Sequence, residues 1–264
     1  MQILVCLKQV PEKDSRFKID ASGVSIQEED LVFETNESDQ YALEEALRLK
    51  EKLGGEVVVL SLGRDRVVKA LKNALAMGAD RGIHINDPAF LGSDAFVTAR
   101  ALARAIQKEH VDVVFTGVQS DDLSFGQTGT LVAHFLSWFH ATMVVEAEIK
   151  GEGCPARIRR ELESNLFEEV EIPLPAVLTI QSGMNQPRYA TLKGIMQAKK
   201  KEIREYTCGD LGLTPEEVGE RGSKVQHLKF SFPEKKKKTM LLTGSPDESA
   251  KALVEQLRKV AKVL

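Results

Sequence analysis

Short apolar runs alternate with amphipathic stretches over the first half of the chain. The apolar, partly β-branched runs at residues 3–7, 56–62, 82–85 and 112–116 predict strands. Between them, apolar side chains recur at helical spacing and predict three helices. The first has cap chemistry at residues 36–39 and ends at Gly54, the second ends at Gly78, and the third is capped by Ser93 and runs to Ile106. This alternation predicts a doubly wound, mainly parallel, Rossmann-like α/β sheet with helices on both faces.

The stretch 113–133 carries the clearest chemistry. Gly117 breaks the fourth predicted strand, a polar loop follows at 120–126, and Gln127 to Thr130 open a helix whose apolar residues are predicted to run on to Phe139. A strand, a glycine-bearing loop and a helix start can bind phosphate, because free N–H groups and the positive end of the helix dipole converge there. Any strand-to-helix turn favours the same residues, so from the pattern alone a plain connection stays equally open.

Three loops are expected to share one crevice. They follow Leu7, Leu62 and Thr116, each at the carboxyl end of a predicted parallel strand. Ligands of such sheets lie beyond these strand ends, at the point where the strand order reverses. The sequence therefore predicts a ligand site between the loops. The loop after residue 116 matches neither the Walker pattern nor Gly-x-Gly-x-x-Gly, so the residues do not identify the ligand.

The pattern changes after Thr142. Strand-like runs separated by turn signals predict antiparallel additions to the sheet edge, at residues 143–149, 156–161, 167–172 and 176–181. Beyond Ser182 the core pattern ends. The rest is predicted to hold a loop at 185–195, a short helix at 214–217, four lysines at 235–238 and a final amphipathic helix that begins with the capping box of Ser245 and Glu248. This tail packs either on a partner or on its own domain.

Composition excludes several classes of protein. Of the 264 residues, 42% are apolar and 28% charged, and the net charge of −3 offers no attraction to nucleic acid or an anionic membrane. No run approaches the length of a membrane helix, and no signal peptide is visible. The three widely separated cysteines suit a reducing compartment, and the five scattered histidines indicate no metal site. A cytoplasmic location is expected.

Three segments together resemble a known family. Residues 42–51 read ALEEALRLKE, residues 75–81 read LAMGADR, and residues 185–201 read NQPRYATLKGIMQAKKK. They are similar to A-[VL]-E-E-A-[LV]-R-L-K-E, A-L-A-M-G-A-D-R and N-E-P-R-Y-A-[TS]-L-P-N-I-M-K-A-K-K-K of the β subunit of electron transfer flavoprotein. The resemblance extends to about residue 211.

The resemblance implies a heterodimer. An α subunit carries most of the site of the redox flavin FAD, and the β subunit holds AMP in a structural role. Flavin dehydrogenases are the expected electron donors, in particular the acyl-CoA dehydrogenases of fatty-acid β-oxidation, and a membrane quinone oxidoreductase is the expected acceptor. The β subunit is then an electron-carrier subunit without catalytic residues. Residues 1–182 form the nucleotide-binding domain, 183–204 the partner recognition loop and helix, and 205–264 an arm on the α subunit.

The same resemblance implies site residues. The nucleotide contacts expected by position are Cys6, Asn36, Ser38, Asp39, Leu62, Gly117, Gln119, Asp121, Asp122, Gly126, Gln127, Thr128 and Gly129. Backbone N–H groups at residues 126–129 and the Thr128 hydroxyl suit phosphate, while Cys6 and Leu62 could flank adenine. Asp121 and Asp122 suit ribose hydroxyls, or are simply solvated acids.

Partner contacts are implied as well. Leu192, in the R-Y-A-T-L segment, corresponds to the family's anchor in an apolar pocket of the dehydrogenase, and Tyr189, Ile195 and Met196 lie beside it. Glu161 corresponds to a glutamate that contacts the flavin domain. From the residues alone, two alternatives stay open. Leu192 could pack on its own domain, and Glu161 could be an ordinary acid on the surface of a strand.

Several positions depart from the family pattern. Asn36-Glu37-Ser38 stands where N-P-F is common, and Phe125-Gly126 replaces a more polar pair. Ser164-Asn165 replaces a Gly-Gly turn, and Lys193-Gly194 replaces Pro-Asn. Electron-bifurcating relatives, which bind a second FAD and oxidise NADH, tend to have Q-V-G-P where this chain has residues 127–130, so Gln-Thr-Gly-Thr favours AMP. A nucleotide hydrolase of similar topology is a third reading, but its Ser-Gly-Gly-x-Asp-Ser loop is missing after the first strand.

Overall fold

The computed structural model describes residues 1–151, 153–233 and 239–263. The chain divides into two compact units, Met1–Leu228 and Lys229–Leu264. Within the described ranges, no helix has both the length and the apolar character needed to cross a membrane. The four lysines at 235–238 lie outside the described residues.

The first unit contains eleven strands and six α-helices among its described residues. The strands are β1 (Gln2–Cys6), β2 (Gln9–Pro11), β3 (Phe33–Thr35), β4 (Glu56–Leu62), β5 (Arg81–Ile85), β6 (Val113–Gly117), β7 (Phe139–Glu148), β8 (Ala156–Glu161), β9 (Phe167–Ile172), β10 (Ala176–Ile180) and β11 (Ile203–Tyr206). The helices are α1 (Glu37–Leu53), α2 (Val68–Met77), α3 (Ala95–Ile106), α4 (Thr128–Leu136), α5 (Leu192–Ala198) and α6 (Gly219–Gly222).

Nine strands form one sheet in the order β11-β5-β4-β1-β6-β10-β7-β8-β9, and β2 pairs with β3 separately. All pairs from β11 to β7 are parallel, whereas β7-β8 and β8-β9 are antiparallel. The chain runs from β1 outward to β4 and β5, then crosses back to β6 on the other side of β1. The strand order therefore reverses between β1 and β6. The predicted doubly wound, mainly parallel sheet with antiparallel edge strands is confirmed.

Strand alternation divides the core between the two faces of the sheet. Ile3 and Val5 pack with α1 and α2 in one buried cluster, while Leu4 and Cys6 pack with α3 and α4 in the other. Successive side chains of a strand point to opposite faces, so a parallel strand buried on both sides is apolar throughout. This explains why the central strands read as continuous apolar runs.

The assignment of 176–181 to an antiparallel edge strand is wrong. The strand β10 lies inside the sheet, parallel to both β6 and β7. All five of its residues are buried, whereas the edge strand β9 alternates between exposed and more buried positions. The short connection at 173–175 resembles a hairpin turn, but the continuous burial of β10 is typical of a central parallel strand.

Two helix boundaries and one short helix also differ from expectation. The N-cap of α3 is Asp94, whose Oδ1 accepts a hydrogen bond from the Val97 N–H (2.9 Å), one residue after the predicted Ser93. The helix α4 ends at Leu136, and Phe139 already belongs to β7. The short helix expected at 214–217 is a turn, and α6 begins at Gly219 instead.

The second unit contains α7 (Pro246–Gln256), followed by a π-helical turn at Leu257–Ala261. The predicted capping box is confirmed. Ser245 Oγ accepts from the Glu248 N–H, and Glu248 Oε2 accepts from the Ser245 N–H (2.8 Å). These bonds satisfy donors that a helix start otherwise leaves unpaired, which explains why α7 begins here.

Candidate functional site

A crevice of about 680 Å³ opens at the carboxyl ends of β5, β4, β1 and β6. Its volume lies within the range of about 300–1,000 Å³ that is usual for small-molecule sites. The predicted residues that line it are Cys6, Asn36, Asp39, Leu62, Gly117, Gln119, Gly126, Gln127, Thr128 and Gly129. It therefore lies where the strand order reverses, as the strand ends predict.

Asp39 joins the ends of β1 and β6 beneath the crevice. It lies in the first turn of α1 and is 5% exposed. Asp39 Oδ2 accepts from the Lys8 N–H (2.7 Å) and Oδ1 from the Gly117 N–H (2.8 Å). Burial raises the pKa of its carboxyl to about 6, while these hydrogen bonds oppose the shift. The ionised carboxylate present at neutral pH can accept from both N–H groups at once.

Asn36 and Ser38 hold the loop that follows β6. Asn36 occupies the N-cap position of α1 but makes no side-chain cap hydrogen bond. Its Nδ2 donates to Gln119 O (2.9 Å) and its Oδ1 accepts from the Asp121 N–H (2.9 Å). Ser38 Oγ donates to the same Gln119 carbonyl (2.9 Å). Of the residues expected to contact the ligand, Ser38 is therefore placed to support the loop, outside the crevice lining.

The two loop acids also bind protein groups. Asp122 pairs with Lys8 (Oδ1 to Nζ, 2.6 Å), and Asp121 Oδ2 accepts from the Glu37 N–H (3.3 Å). Neither acid belongs to the crevice lining. Asp122 thus connects the loop to the segment after β1, and Asp121 connects it to α1. Sequence reasoning missed this role, because both partners lie more than 80 residues earlier in the chain.

The start of α4 forms one wall of the crevice. Gln127 is its N-cap, and the Leu131 N–H is bonded back to the Gln127 carbonyl. The N–H groups before Leu131 precede the intrahelical ladder and lie at the positive end of the helix. A Cβ on Gly129 would lie 2.6 Å from both Thr116 Oγ1 and Thr179 Cγ2. Only glycine lets the helix start approach the strand ends this closely. The free N–H groups at the positive end of the helix, which line the crevice, favour an anion here.

Part of the crevice lining is apolar. Cys6 and Leu62 line it with Ile85 and Phe90, both buried. Burial, reinforced by Asp39, raises the pKa of the Cys6 thiol far above its ordinary value, so this group is neutral and behaves as a small apolar side chain. A lining that combines apolar side chains with a helix start suits a ligand with an aromatic and an anionic part.

Sequence reasoning missed part of the lining. The loop after β5 contributes Asn86 and Asp94, and the loop after β4 contributes Arg64 and Arg66. The strand-end rule, applied to β5 as well, would have found Asn86 and Asp94, whereas the two arginines lie in the loop after Leu62 that the rule had already placed at the crevice. Phe125, one of the departures from the family pattern, also lines the crevice.

The predicted docking residues lie on a separate surface. Tyr189 is 94% exposed, Leu192 84%, Met196 64% and Ile195 45%. The first of these precedes α5 and the others belong to it, and Thr191 caps the helix through a hydrogen bond from the Gly194 N–H (3.0 Å). The alternative in which Leu192 is buried on its own domain is therefore wrong. What docks there stays a prediction.

Glycine at position 194 has a steric reason. A Cβ there would lie 2.1 Å from the Ala76 carbonyl oxygen near the end of α2. The helix α5 thus packs directly on the backbone of α2, and this departure from the family's asparagine is explained by close packing.

A buried ion pair tethers the loop before α5. Arg188 Nε donates to Glu44 Oε2 (2.8 Å) and its guanidinium also contacts Glu51, while Glu44 is 3% exposed. Burial by itself would raise the pKa of the Glu44 carboxyl, but hydrogen bonds from Arg188 and Arg48 outweigh it and hold the pKa below its ordinary value. The exposed residues of α5 are thus held on a rigid base.

We expect Arg188→Met to destabilise the first unit by about 1–3 kcal/mol at pH 7, because it leaves a buried carboxylate with fewer partners. The contribution of a carboxyl with a lowered pKa is present above its unfolded value and is lost as pH falls through the folded value. In urea unfolding, the difference in free energy of unfolding between the parent and Arg188→Met should therefore become smaller as the pH falls below about 4.5. Arg204→Met is the control, since the Arg204–Glu202 pair is exposed. Equal losses of unfolding free energy in the two variants would contradict the proposed role of the Arg188–Glu44 pair.

Glu161 lies at the end of β8, where its Oε2 accepts from Gln181 Nε2 (3.2 Å). The adjoining turn places Ser164 and Asn165 at φ 61° and 58°. These left-handed values favour glycine, and asparagine tolerates them better than most residues. The Gly-Gly pattern of the family fits the same turn. The flavin-domain contact of Glu161 stays a prediction.

Comparison with known proteins identifies the family. A model described as the electron transfer flavoprotein domain matches residues 24–211. The protein named electron transfer flavoprotein subunit beta in Methylophilus methylotrophus is 43% identical over 255 residues, covering 96% of this chain and 97% of the relative. This chain belongs to the electron transfer flavoprotein β-subunit family. The human protein of that name is 33% identical over 266 residues, covering 100% of this chain and 99% of the relative.

Membership in the electron transfer flavoprotein β-subunit family confirms the resemblance read from three sequence segments. The matched range 24–211 includes the loop after β6, the start of α4 and all of α5. It ends at Leu211, before α6. The exposed surface of α5 and most of the crevice lining thus lie in the matched range, whereas Cys6, Leu7 and Lys8 precede it.

Proposed function

We propose that this chain is the β subunit of a heterodimeric electron transfer flavoprotein, in which it binds AMP structurally and helps to shape the FAD site of an α subunit. The observation that carries the nucleotide assignment is the crevice at the strand-order reversal, whose lining includes both a helix start and apolar side chains. Phosphate suits the N–H groups at 127–129 and the Thr128 hydroxyl. Adenine suits the surfaces of Cys6 and Leu62.

The remaining predicted residues act through the loop. Asn36, Ser38, Asp39 and Gly117 hold the ends of β1 and β6 together, and Gln119, Asp121 and Asp122 are fixed by them or by Lys8. Because this loop is already held in place, Gly126, Gln127 and Gly129 can contact the ligand with little loss of conformational entropy on binding. We assign no catalytic residue to this chain, because FAD itself accepts and gives up the electrons and the protein binds and orients it.

The electron donors in this proposal are flavin dehydrogenases, with acyl-CoA dehydrogenases of fatty-acid β-oxidation expected first. They dock on Tyr189, Leu192, Ile195 and Met196, and Glu161 contacts the flavin domain of the α subunit. A rigid, exposed leucine beside an aromatic ring suits an apolar pocket on a partner. The acceptor is a membrane quinone oxidoreductase, and residues 205–264 form the arm on the α subunit. The assembly works in the cytoplasm.

Counting cofactors tests the proposal. The chain is co-purified with its α subunit, the small molecules are extracted, and FAD and AMP per heterodimer are measured. One FAD and one AMP are expected. Two FAD and no AMP would replace the proposal by an electron-bifurcating subunit that oxidises NADH. A heterodimer without any nucleotide in this chain would leave the crevice unexplained and reject the assignment.

Thr128→Val tests the phosphate position. Valine has nearly the shape of threonine but lacks the hydroxyl, so one charge-assisted hydrogen bond is lost, and AMP affinity should fall about tenfold or more. The melting temperature at subsaturating AMP should fall with it, since bound ligand stabilises the folded state. Thr130→Val is the matched control, because Thr130 lies in the same turn but not in the crevice lining. Equal AMP affinity in the two variants would contradict the assignment.

A further inference from the structure

Asp39 is the one buried acid in the described lining of the crevice. It is 5% exposed, whereas the other four lining acids are exposed or half-buried, namely Glu28, Asp65, Asp87 and Asp94. Its oxygens accept from the backbone N–H groups of Lys8 and Gly117, which carry no net charge. None of the ion pairs between described residues involves Asp39, and the Lys8 ammonium pairs with Asp122 instead. The Asp39 carboxylate is therefore a buried charge without a direct counter-ion, which is costly.

The lining of the crevice offers no surplus of positive charge. Its described residues include five acidic side chains but only three basic ones, Lys8, Arg64 and Arg66. Outside the lining, α1 adds Glu37, which pairs with Lys13, and the loop after β6 adds Asp121, while the Cys6 thiol at the end of β1 is neutral. An anionic ligand held by the N–H groups of α4 thus meets an excess of carboxylates, which favours protonation of the most buried one.

Asp39 and the start of α4 flank the same end of β6. A Cβ on Gly117 would lie 2.4 Å from Asp39 Oδ1, and a Cβ on Gly129 would lie 2.6 Å from Thr116 Oγ1. Thr116 and Gly117 are consecutive, so an anion at the helix start lies near the carboxylate. Burial already raises the pKa of Asp39 to about 6, although its hydrogen bonds and the charge of Lys8 oppose the shift. A ligand anion at this strand end raises the pKa further.

We propose that binding of the adenine nucleotide is coupled to uptake of a proton by the Asp39 carboxyl, so that proton and nucleotide each strengthen the binding of the other. This rests on the proposed nucleotide site. A protonated carboxyl still accepts hydrogen bonds and gains an O–H donor, for which a ligand oxygen in the crevice is an acceptor. Proton uptake therefore removes a repulsion and adds a hydrogen bond. In the alternative, Asp39 stays ionised and accepts from a ribose hydroxyl, and no proton is taken up.

Titration calorimetry of AMP into the nucleotide-free heterodimer, in PIPES and in Tris, tests the coupling. The buffers differ in ionisation enthalpy, so the difference in binding heat gives the number of protons taken up per AMP. If AMP raises the pKa of Asp39 from about 6 to about 7, the parent should take up roughly 0.4 proton per AMP more than Asp39→Asn at about pH 7. Subtracting the variant removes the titration of the AMP phosphate itself.

Asp30→Asn is the control for this titration, because it makes the same change at an exposed acid that pairs with Lys18. It should take up as many protons as the parent. Equal uptake in the parent and Asp39→Asn would overturn the coupling. A parent heterodimer that binds no AMP would instead reject the proposed nucleotide site, so the two failures are distinguishable.

Infrared difference spectroscopy of the parent guards against an Asp39→Asn chain that does not fold, since asparagine sets an NH2 group against backbone N–H donors. Adding AMP should produce the C=O stretching band of a protonated carboxyl. The band should shift when the aspartates of this chain alone are isotopically labelled at the carboxyl carbon. AMP has no carboxyl group, so the band reports on the protein. A difference spectrum without this band would also overturn the coupling.

Discussion

Gly117→Ala is expected to destabilise the first unit by about 2–4 kcal/mol and to release the nucleotide. A Cβ at this position would lie 2.2 Å from Ser38 Oγ, 2.4 Å from Asp39 Oδ1 and 2.9 Å from the Asp39 backbone nitrogen. The start of α1 must then move away from the end of β6. This movement breaks the hydrogen bond from the Gly117 N–H to Asp39 and weakens the hydrogen bond from Ser38 Oγ to the Gln119 carbonyl in the loop.

Urea unfolding and AMP content per heterodimer measure these effects. Gly209→Ala is the control, since the nearest atom to its added Cβ is Thr207 Oγ1 at 3.9 Å. That variant should stay within about 0.5 kcal/mol of the parent. If Gly117→Ala behaves like the control, α1 and β6 are not packed as closely as the structure has them.

Leu192→Ala is expected to slow electron transfer from a dehydrogenase without loss of flavin. An apolar anchor in a partner's pocket commonly contributes about 2 kcal/mol or more to binding, which corresponds to roughly a thirtyfold loss in affinity. Leu192 is 84% exposed, so the truncation removes little of the chain's own packing. Folding and cofactor content should be unchanged.

Stopped-flow reduction of the heterodimer's flavin by a substrate-reduced acyl-CoA dehydrogenase from the same organism measures this effect. The dependence of the rate on dehydrogenase concentration separates docking from transfer. Val32→Ala is the control, because Val32 is 57% exposed but lies in the segment between β2 and β3. Parent-like kinetics in Leu192→Ala would reject the anchor.

Much of the fold is predictable because its signals are local. Strands buried on both faces must be apolar throughout, and the helices between them show one apolar stripe, so alternation alone indicates a parallel α/β sheet. The capping box at Ser245 and Glu248 spans only four residues and is equally readable. The position of the crevice follows from the same logic, since parallel strands bring their carboxyl ends to one edge.

The misassigned strand shows where local signals fail. Residues 173–175 look like a hairpin turn, yet β10 crosses to the middle of the sheet and pairs with β6 and β7. Strand order depends on which neighbours bury an apolar run most completely, and sequence spacing does not contain that information. Continuous apolar character was the available clue to a central position.

The amino-acid pattern thus predicts the fold class, the family and the edge of the sheet where the crevice lies, because these follow from periodicity, caps and long motifs. The roles of Asp39 and Asn36 follow only from the folded chain. Asp39 and Gly117 are 78 residues apart in sequence but 2.8 Å apart at the hydrogen bond that joins them. A side chain's hydrogen-bond partner is set by how whole elements pack, so residues that the family resemblance implies as ligand contacts can serve instead to hold the site together.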